Sequence, residues 1–164
     1  LTTSSAASDV YKRQVPMGSD LKTANPPRFW VWATQDPTGT PLDRIQIVKG
    51  WTENGEQRQR VWDVVCSEAR QPNKLGQCPK TSASVDLSSC VRTGEEGARE
   101  LEITFSDPDF SAAQPAFYYA RVLENPTCRW TTVLANSGGV ELPNDVPAAV
   151  QERGWSSPIW SASR

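Results

Sequence analysis

Apolar and polar residues alternate along this chain in short runs punctuated by turn residues, which is the pattern of half-buried strands. "PPRFWVWATQDPTG" (26–39) predicts an aromatic and apolar strand ended by Asp36-Pro37 and Gly39. In "PLDRIQIVKGWTENGEQRQRVWDVVCS", Ile45, Ile47 and Trp51 keep an i, i+2 spacing with Lys49 between them. Asn54-Gly55 predicts a hairpin turn, and the return strand carries Val61, Trp62, Val64 and Val65. Residues 68–82, with Pro72, Gly76 and Pro79, predict a polar loop. "SVDLSSCVR" predicts one short strand. "GARELEITF" predicts another, with Leu101, Ile103 and Phe105 on one face and Glu102 and Thr104 on the other. "SDPDFSAAQP" predicts a turn in which Asp107 and Asp109 cap backbone amides. A Gly- and Pro-rich loop through 147, a short helix near 146–152 and a last strand around "WSSPIW" complete the reading. The sum is a mainly β chain, an antiparallel β-sandwich with long loops and little helix.

The densest stretch is "AFYYARVLENPTCRW" (116–130). Extended, it puts Ala116, Tyr118, Ala120 and Val122 on one face and Phe117, Tyr119, Arg121 and Leu123 on the other. Neither face is polar, so the strand is expected to be central, with its first face against Ile45, Ile47 or Leu101. The second face is expected to be partly exposed and to await a cover. Tyr118-x-x-Arg121-Val122 also resembles the sixth strand of fibronectin-type and immunoglobulin-like sandwiches, in which a tyrosine hydroxyl ties back to backbone. On that reading the tyrosines are core residues and Arg121 is a stacked or paired structural cation.

Composition narrows the chemistry. At 164 residues, 37% hydrophobic and 22% charged, the chain suits one globular domain. A net charge of −2 without a basic tract argues against nucleic acid as a partner, and no apolar run reaches the ~20 residues of a membrane span. The chain has no histidine, which removes Ser-His-Asp and Cys-His catalysis and imidazole zinc sites. Cys66, Cys78, Cys90 and Cys128 form no C-x-x-C pair, so disulfides or buried thiols are favoured over a four-thiolate metal site. Three pairings remain open. A calcium loop opening at Asp107 fails, because Ala112 and Tyr118 stand where such a loop needs Gly and Glu. Glu95-Glu96 reads as a solvated pair, and Ser156 lacks any activating base. Asn125-Pro126-Thr127 is spoiled as a glycan acceptor by its proline. No catalytic residue and no metal ligand emerges.

"LTTSSAASDVYKRQ" (1–14) has no apolar h-region and is not a signal peptide. It resembles the translated sequencing adapter found at the ends of metagenomic gene fragments, so residues 1–14 are read as a non-native tail. Residues 15–25 are then a linker or the end of an upstream domain, and 26–164 are the β-rich domain.

Four blocks in order, "LDRIQIVKGW", "DPDF", "AFYYARVLENPTCRW" and "QERGWSSPIW", resemble the C-terminal part of the bacterial domain-of-unknown-function family 3604 over about residues 26–160. Gly154 departs from it where alanine is expected. Full-length members resemble metal-dependent hydrolases of the polymerase-and-histidinol-phosphatase type, with a His- and Asp-rich barrel upstream that holds divalent metal. The resemblance therefore implies an accessory segment, inert by itself and without a cofactor of its own, whose partner is the upstream catalytic domain. It also implies export to the periplasm or the medium, which suits two disulfides. Cys66–Cys78 closing the polar loop and Cys90–Cys128 pinning "SVDLSSC" are the favoured pairs. Phe117, Tyr119, Arg121 and Leu123 become the docking face. Arg129, Trp130, Arg153 and Trp155 become the residues nearest the parent's cleft, unless these Arg-Trp pairs merely stack to fix loops. The alternative is a free-standing β-sandwich that grips a ligand such as a glycan. Exposed coplanar tryptophans would favour that alternative, and a broad apolar patch on one sheet would favour the accessory segment.

Overall fold

The computed structural model describes residues 14–94 and 97–162; the 1–14 segment, apart from Gln14, and the Glu95-Glu96 pair lie outside the described residues. In chain order the elements are β1 (Asp20–Lys22), β2 (Arg28–Thr34), β3 (Leu42–Glu53), β4 (Glu56–Cys66), β5 (Ser84–Val85), β6 (Arg92–Thr93), β7 (Glu100–Ser106), β8 (Ala116–Glu124), β9 (Thr127–Cys128), α1 (Trp130–Gly138), β10 (Ala149–Val150), β11 (Arg153–Trp155) and β12 (Ile159–Ala162). The mainly β architecture with little helix is as expected.

The β3–β4 hairpin sets the register of the large sheet. Asn54 and Gly55 both take positive φ, 52° and 80°, which the tight two-residue turn requires and which these residue types tolerate. The strands then pair from Glu53↔Glu56 to Arg44↔Cys66, with an irregularity between Ile45 and Gln46. β8 adds to the other edge of β3, so it is central, and the sheet runs β1-β12-β8-β3-β4 with β11 also on β8. β11 and β12 share β8 through Ser156, whose amide bonds Ala120 O at 3.0 Å and whose Oγ accepts from Ala120 N at 2.9 Å. That hydroxyl continues the ladder between the two short strands, a structural use for a serine with no base beside it.

β2 and β7 pair antiparallel as a separate ribbon, from Arg28↔Ser106 to Thr34↔Glu100. The ribbon covers one face of the large sheet. Phe29 joins Ile47, Trp62, Ala116, Tyr118 and Ala120 in one core cluster, and Leu101 joins Leu42 and Ile45 in another. Phe29 and Tyr118 lie 4.7 Å apart between ring centroids, and Trp62 and Phe105 lie 5.3 Å apart. The face of β8 expected in the core is therefore in the core. The sandwich is six strands over two, and its β1–β12 edge pair is parallel, the rest being antiparallel.

Several local expectations are corrected. The helix lies at Trp130–Gly138, not at 146–152. Residues 149–150 instead pair with β9, and Ala148 O accepts from Arg129 N and Thr132 Oγ1, so tertiary pairing overrides the local helix signal. Gly139, at φ 61°, ends the helix in the left-handed conformation, with Val140 N–H bonding Ala135 O. "SVDLSSCVR" is two strands joined by a turn, since Asp86 accepts from the amides and hydroxyls of Ser88 and Ser89 and reverses the chain. Those bonds, the Ser88 hydroxyl foremost, hold the Asp86 carboxyl down to about 2.

Candidate functional site

Because β3 pairs with both β4 and β8, residues on its two faces meet cross-strand partners from both neighbours. Toward the ribbon go Ile45, Ile47, Lys49 and Trp51; away from it go Gln46, Val48 and Gly50, opposite Arg121, Tyr119 and Phe117. Trp160 pairs with Phe117 and Trp155 with Arg121, so these tryptophans extend the outward row of β8. The result is one band of rings. Phe117 stacks on Tyr119 with centroids 6.4 Å apart and 9° between planes, and Trp160 tilts against Phe117 at 5.3 Å. Phe117 can lie on the sheet because position 50 has no side chain. A Cβ there would stand 2.2 Å from Phe117 Cζ. The rings thus partly cover their own sheet, and Val48 beneath them is buried while Trp155 and Trp160 are exposed.

Of the expected docking residues, Phe117, Tyr119 and Arg121 are half-buried on this face. Leu123 is a correction: it is only 3% exposed. It stands where β3 bulges between Leu42 and Arg44 and where residues 151–153 close on β8. There Glu124 N–H bonds Glu152 O, and Gln151 Nε2 bonds both Glu124 O and the buried Asp43. Arg121 is held by the neutral amide of Gln46. Its Nε donates to Gln46 Oε1 at 2.6 Å, Gln46 Nε2 donates to Asp63 Oδ1 at 2.5 Å, and Asp63 Oδ2 accepts from Cys78 N at 2.6 Å.

The structure bonds Cys66 to Cys78 and Cys90 to Cys128, the favoured pairing. The first closes the 67–77 loop against β4, and the second ties the turn after β5 to β9 beside α1. Arg129 and Trp130 sit at the start of α1, and Arg153 and Trp155 sit on β11. β9–β10 pairing links the two segments. Among the described residues, Lys49 lies over the Trp51 and Tyr118 rings and Arg60 over Trp62.

A second polar group, unforeseen as a site, lies inside the sandwich. Lys49, 3% exposed, donates to Asp107 Oδ2 at 2.6 Å and to Asp109 O at 3.1 Å. Tyr118 OH donates to the same Asp107 oxygen at 2.8 Å. That corrects the comparison with immunoglobulin-like strands, because the hydroxyl reaches a carboxylate rather than backbone. Burial, and then the bond to Asp107 and its charge, push the Tyr118 hydroxyl far above the ordinary tyrosine value. Asp107 also caps Asp109 N at 2.8 Å, the expected turn role. A cleft of about 300 Å³, lined by Trp51, Arg60, Trp62 and Asp109, opens beside Lys49. Another, of about 580 Å³, lies between the β5–β6 hairpin and Asn125-Pro126.

The donor set does not fit a divalent metal: among the described residues no three His, Cys, Asp or Glu side chains gather to hold one. Among them, too, no helix is long and apolar enough to cross a membrane. Comparison with curated proteins and with solved structures returned no match for this chain. A family model described as "Protein of unknown function (DUF3604)" matches residues 1–163, so the chain belongs to the DUF3604 family.

Proposed function

We propose that this chain is a non-catalytic β-domain of a longer DUF3604 polypeptide, docked through the outward face of its six-stranded sheet onto a metallohydrolase-like domain upstream. The observation that carries this reading is the band Trp160–Phe117–Tyr119 with Trp155 beside Arg121. Nine residues of β8 across four strand widths span roughly 30 by 19 Å, or ~570 Å² per side. Doubled, that falls within the ~600–1,500 Å² of inter-domain interfaces. β1 lies against β12, so residues 14–19 approach the sheet at the edge that bears Trp160, and a domain joined there is tethered beside the band. Arg129, Trp130, Arg153 and Trp155 are then the residues closest to the partner's cleft, and the divalent metal belongs to that partner. Two disulfides support an exported protein, periplasmic or secreted.

The test uses the full-length polypeptide, cut by limited proteolysis between its domains. The two pieces are expected to co-elute on size exclusion and to separate when Trp155→Glu and Trp160→Glu are combined, with the melting temperature of the β-domain unchanged. Separation of the wild-type pieces, or co-elution of the variant, overturns the reading.

A further inference from the structure

The ribbon has an outward face of a different kind. β2 turns Phe29, Val31 and Ala33 inward, and Trp30 and Trp32 outward, 64% and 54% exposed. In register, Trp30 faces Thr104 of β7 and Trp32 faces Glu102. Trp30 Nε1 donates to Glu102 Oε1 at 2.7 Å, which ties that indole to the neighbouring strand and sets its orientation before any ligand arrives. Trp32 follows two residues along, about 6.6 Å away on an extended strand. Every other outward position of the ribbon is polar: Arg28, Thr34, Glu100, Glu102, Thr104 and Ser106.

These features select an occupant. Seven residues by two strands make a face of roughly 24 by 10 Å, or ~240 Å². That is less than a third of the ~800 Å² per partner of a standard protein interface, so a folded protein is too large a ligand for it. Two acids against one base give the face a negative charge, which disfavours an anionic membrane surface or a polyanion. The exposed indoles and the polar groups around them suit a slender, neutral ligand with apolar faces to lie on the rings and hydroxyls to meet carboxylate, hydroxyl and guanidinium groups at the side. We propose that the outward face of the β2–β7 ribbon binds a neutral carbohydrate chain, stacking sugar rings on Trp30 and Trp32 with Glu102 and Thr104 bonding the hydroxyls. This face lies on the layer opposite the docking band, so the two proposals stand or fall separately.

Affinity electrophoresis through gels containing soluble neutral polysaccharides (mixed-linkage β-glucan, glucomannan, arabinoxylan, galactomannan, starch) tests it. At least one is expected to retard the chain. Trp30→Ala and Trp32→Ala are each expected to weaken retention at least tenfold, and the double variant to abolish it. Trp30→Phe and Trp32→Phe, which keep a ring in place, are expected to retain most of the binding, which separates stacking from a folding defect. No retardation by any of the five, retention that survives in the double variant, or binding only to phosphatidylglycerol vesicles overturns the proposal.

Discussion

The two faces of the six-stranded sheet are built from similar parts and finished differently. On each, a cross-strand pair between β3 and β8 delivers a cation toward a carboxylate: Lys49 with Tyr118 on the inner face, Gln46 with Arg121 on the outer. The difference is where the carboxylate comes from. Asp107 belongs to the turn after β7, so the inner network joins the sheet to the layer that covers it. Asp63 belongs to β4 in the same sheet, so Arg121–Gln46–Asp63 runs in plane and ties strands side by side. On the inner face a buried charge survives because the second layer supplies its partner. The in-plane network is itself buried at Gln46 and Asp63, and beside it aromatic rings lying on Gly50 and Val48 take over part of the covering.

The strongest way to break this contrast is to remove the carboxylate that crosses the layers. Asp107→Ala strands Lys49 and the Tyr118 hydroxyl in the core, and is expected to destabilise the fold by about 3–5 kcal/mol, read from the urea midpoint. Lys49→Met with Asp107→Leu, which replaces the pair by apolar groups, is expected to recover most of that loss. Failure of the double variant to recover would mean that the network does more than satisfy its own charges.

A smaller effect is expected from closing the slot under Phe117. Gly50→Ala places a methyl where the ring lies, and the ring must swing outward. Overpacking of this sort costs about 1–3 kcal/mol, and the value should fall at the low end because Phe117 is only half-buried. Gly50→Ala with Phe117→Ala removes the clash, so a double-mutant cycle should show coupling between the two positions. Additive losses would mean that the ring does not rest on Gly50.

How far this was legible in the sequence follows the same division between local and layer-crossing features. Period-two alternation marked β2, β7 and β8, and Asn54-Gly55 marked the hairpin, because each depends on a few neighbouring residues. The helix at 130–138 was hidden by Thr131, Thr132 and Val133 and by the absence of an apolar face; Thr132 is its one buried residue. Gly139 was the available stop signal. Leu123 was misplaced because a bulge in β3 is invisible in the pattern of β8. Lys49 did carry a signal. It shares its row with Ile45, Ile47 and Trp51, and a lysine in an apolar row needs a buried acceptor. The identity of that acceptor, Asp107, 58 residues away, depends on how the layers stack and could not be read from either segment.

The smallest effect sharpens the inner half of the contrast. Tyr118→Phe removes one donor from Asp107 while Lys49 keeps the carboxylate paired, so about 0.5–1.5 kcal/mol should be lost at neutral pH. The pH dependence of that difference identifies its source. The folded hydroxyl titrates above its ordinary value of about 10, first through burial and then through Asp107. A raised folded value means that the stabilisation is fully present below about pH 10. Above it the unfolded chain releases the proton first, and the stabilisation declines as pH rises toward the folded value. The gap in unfolding free energy between wild type and Tyr118→Phe should therefore stay constant up to about pH 10 and narrow beyond it. A gap that widens above pH 10 would mean that the fold favours the tyrosinate, which the bond from Tyr118 to an ionised Asp107 forbids.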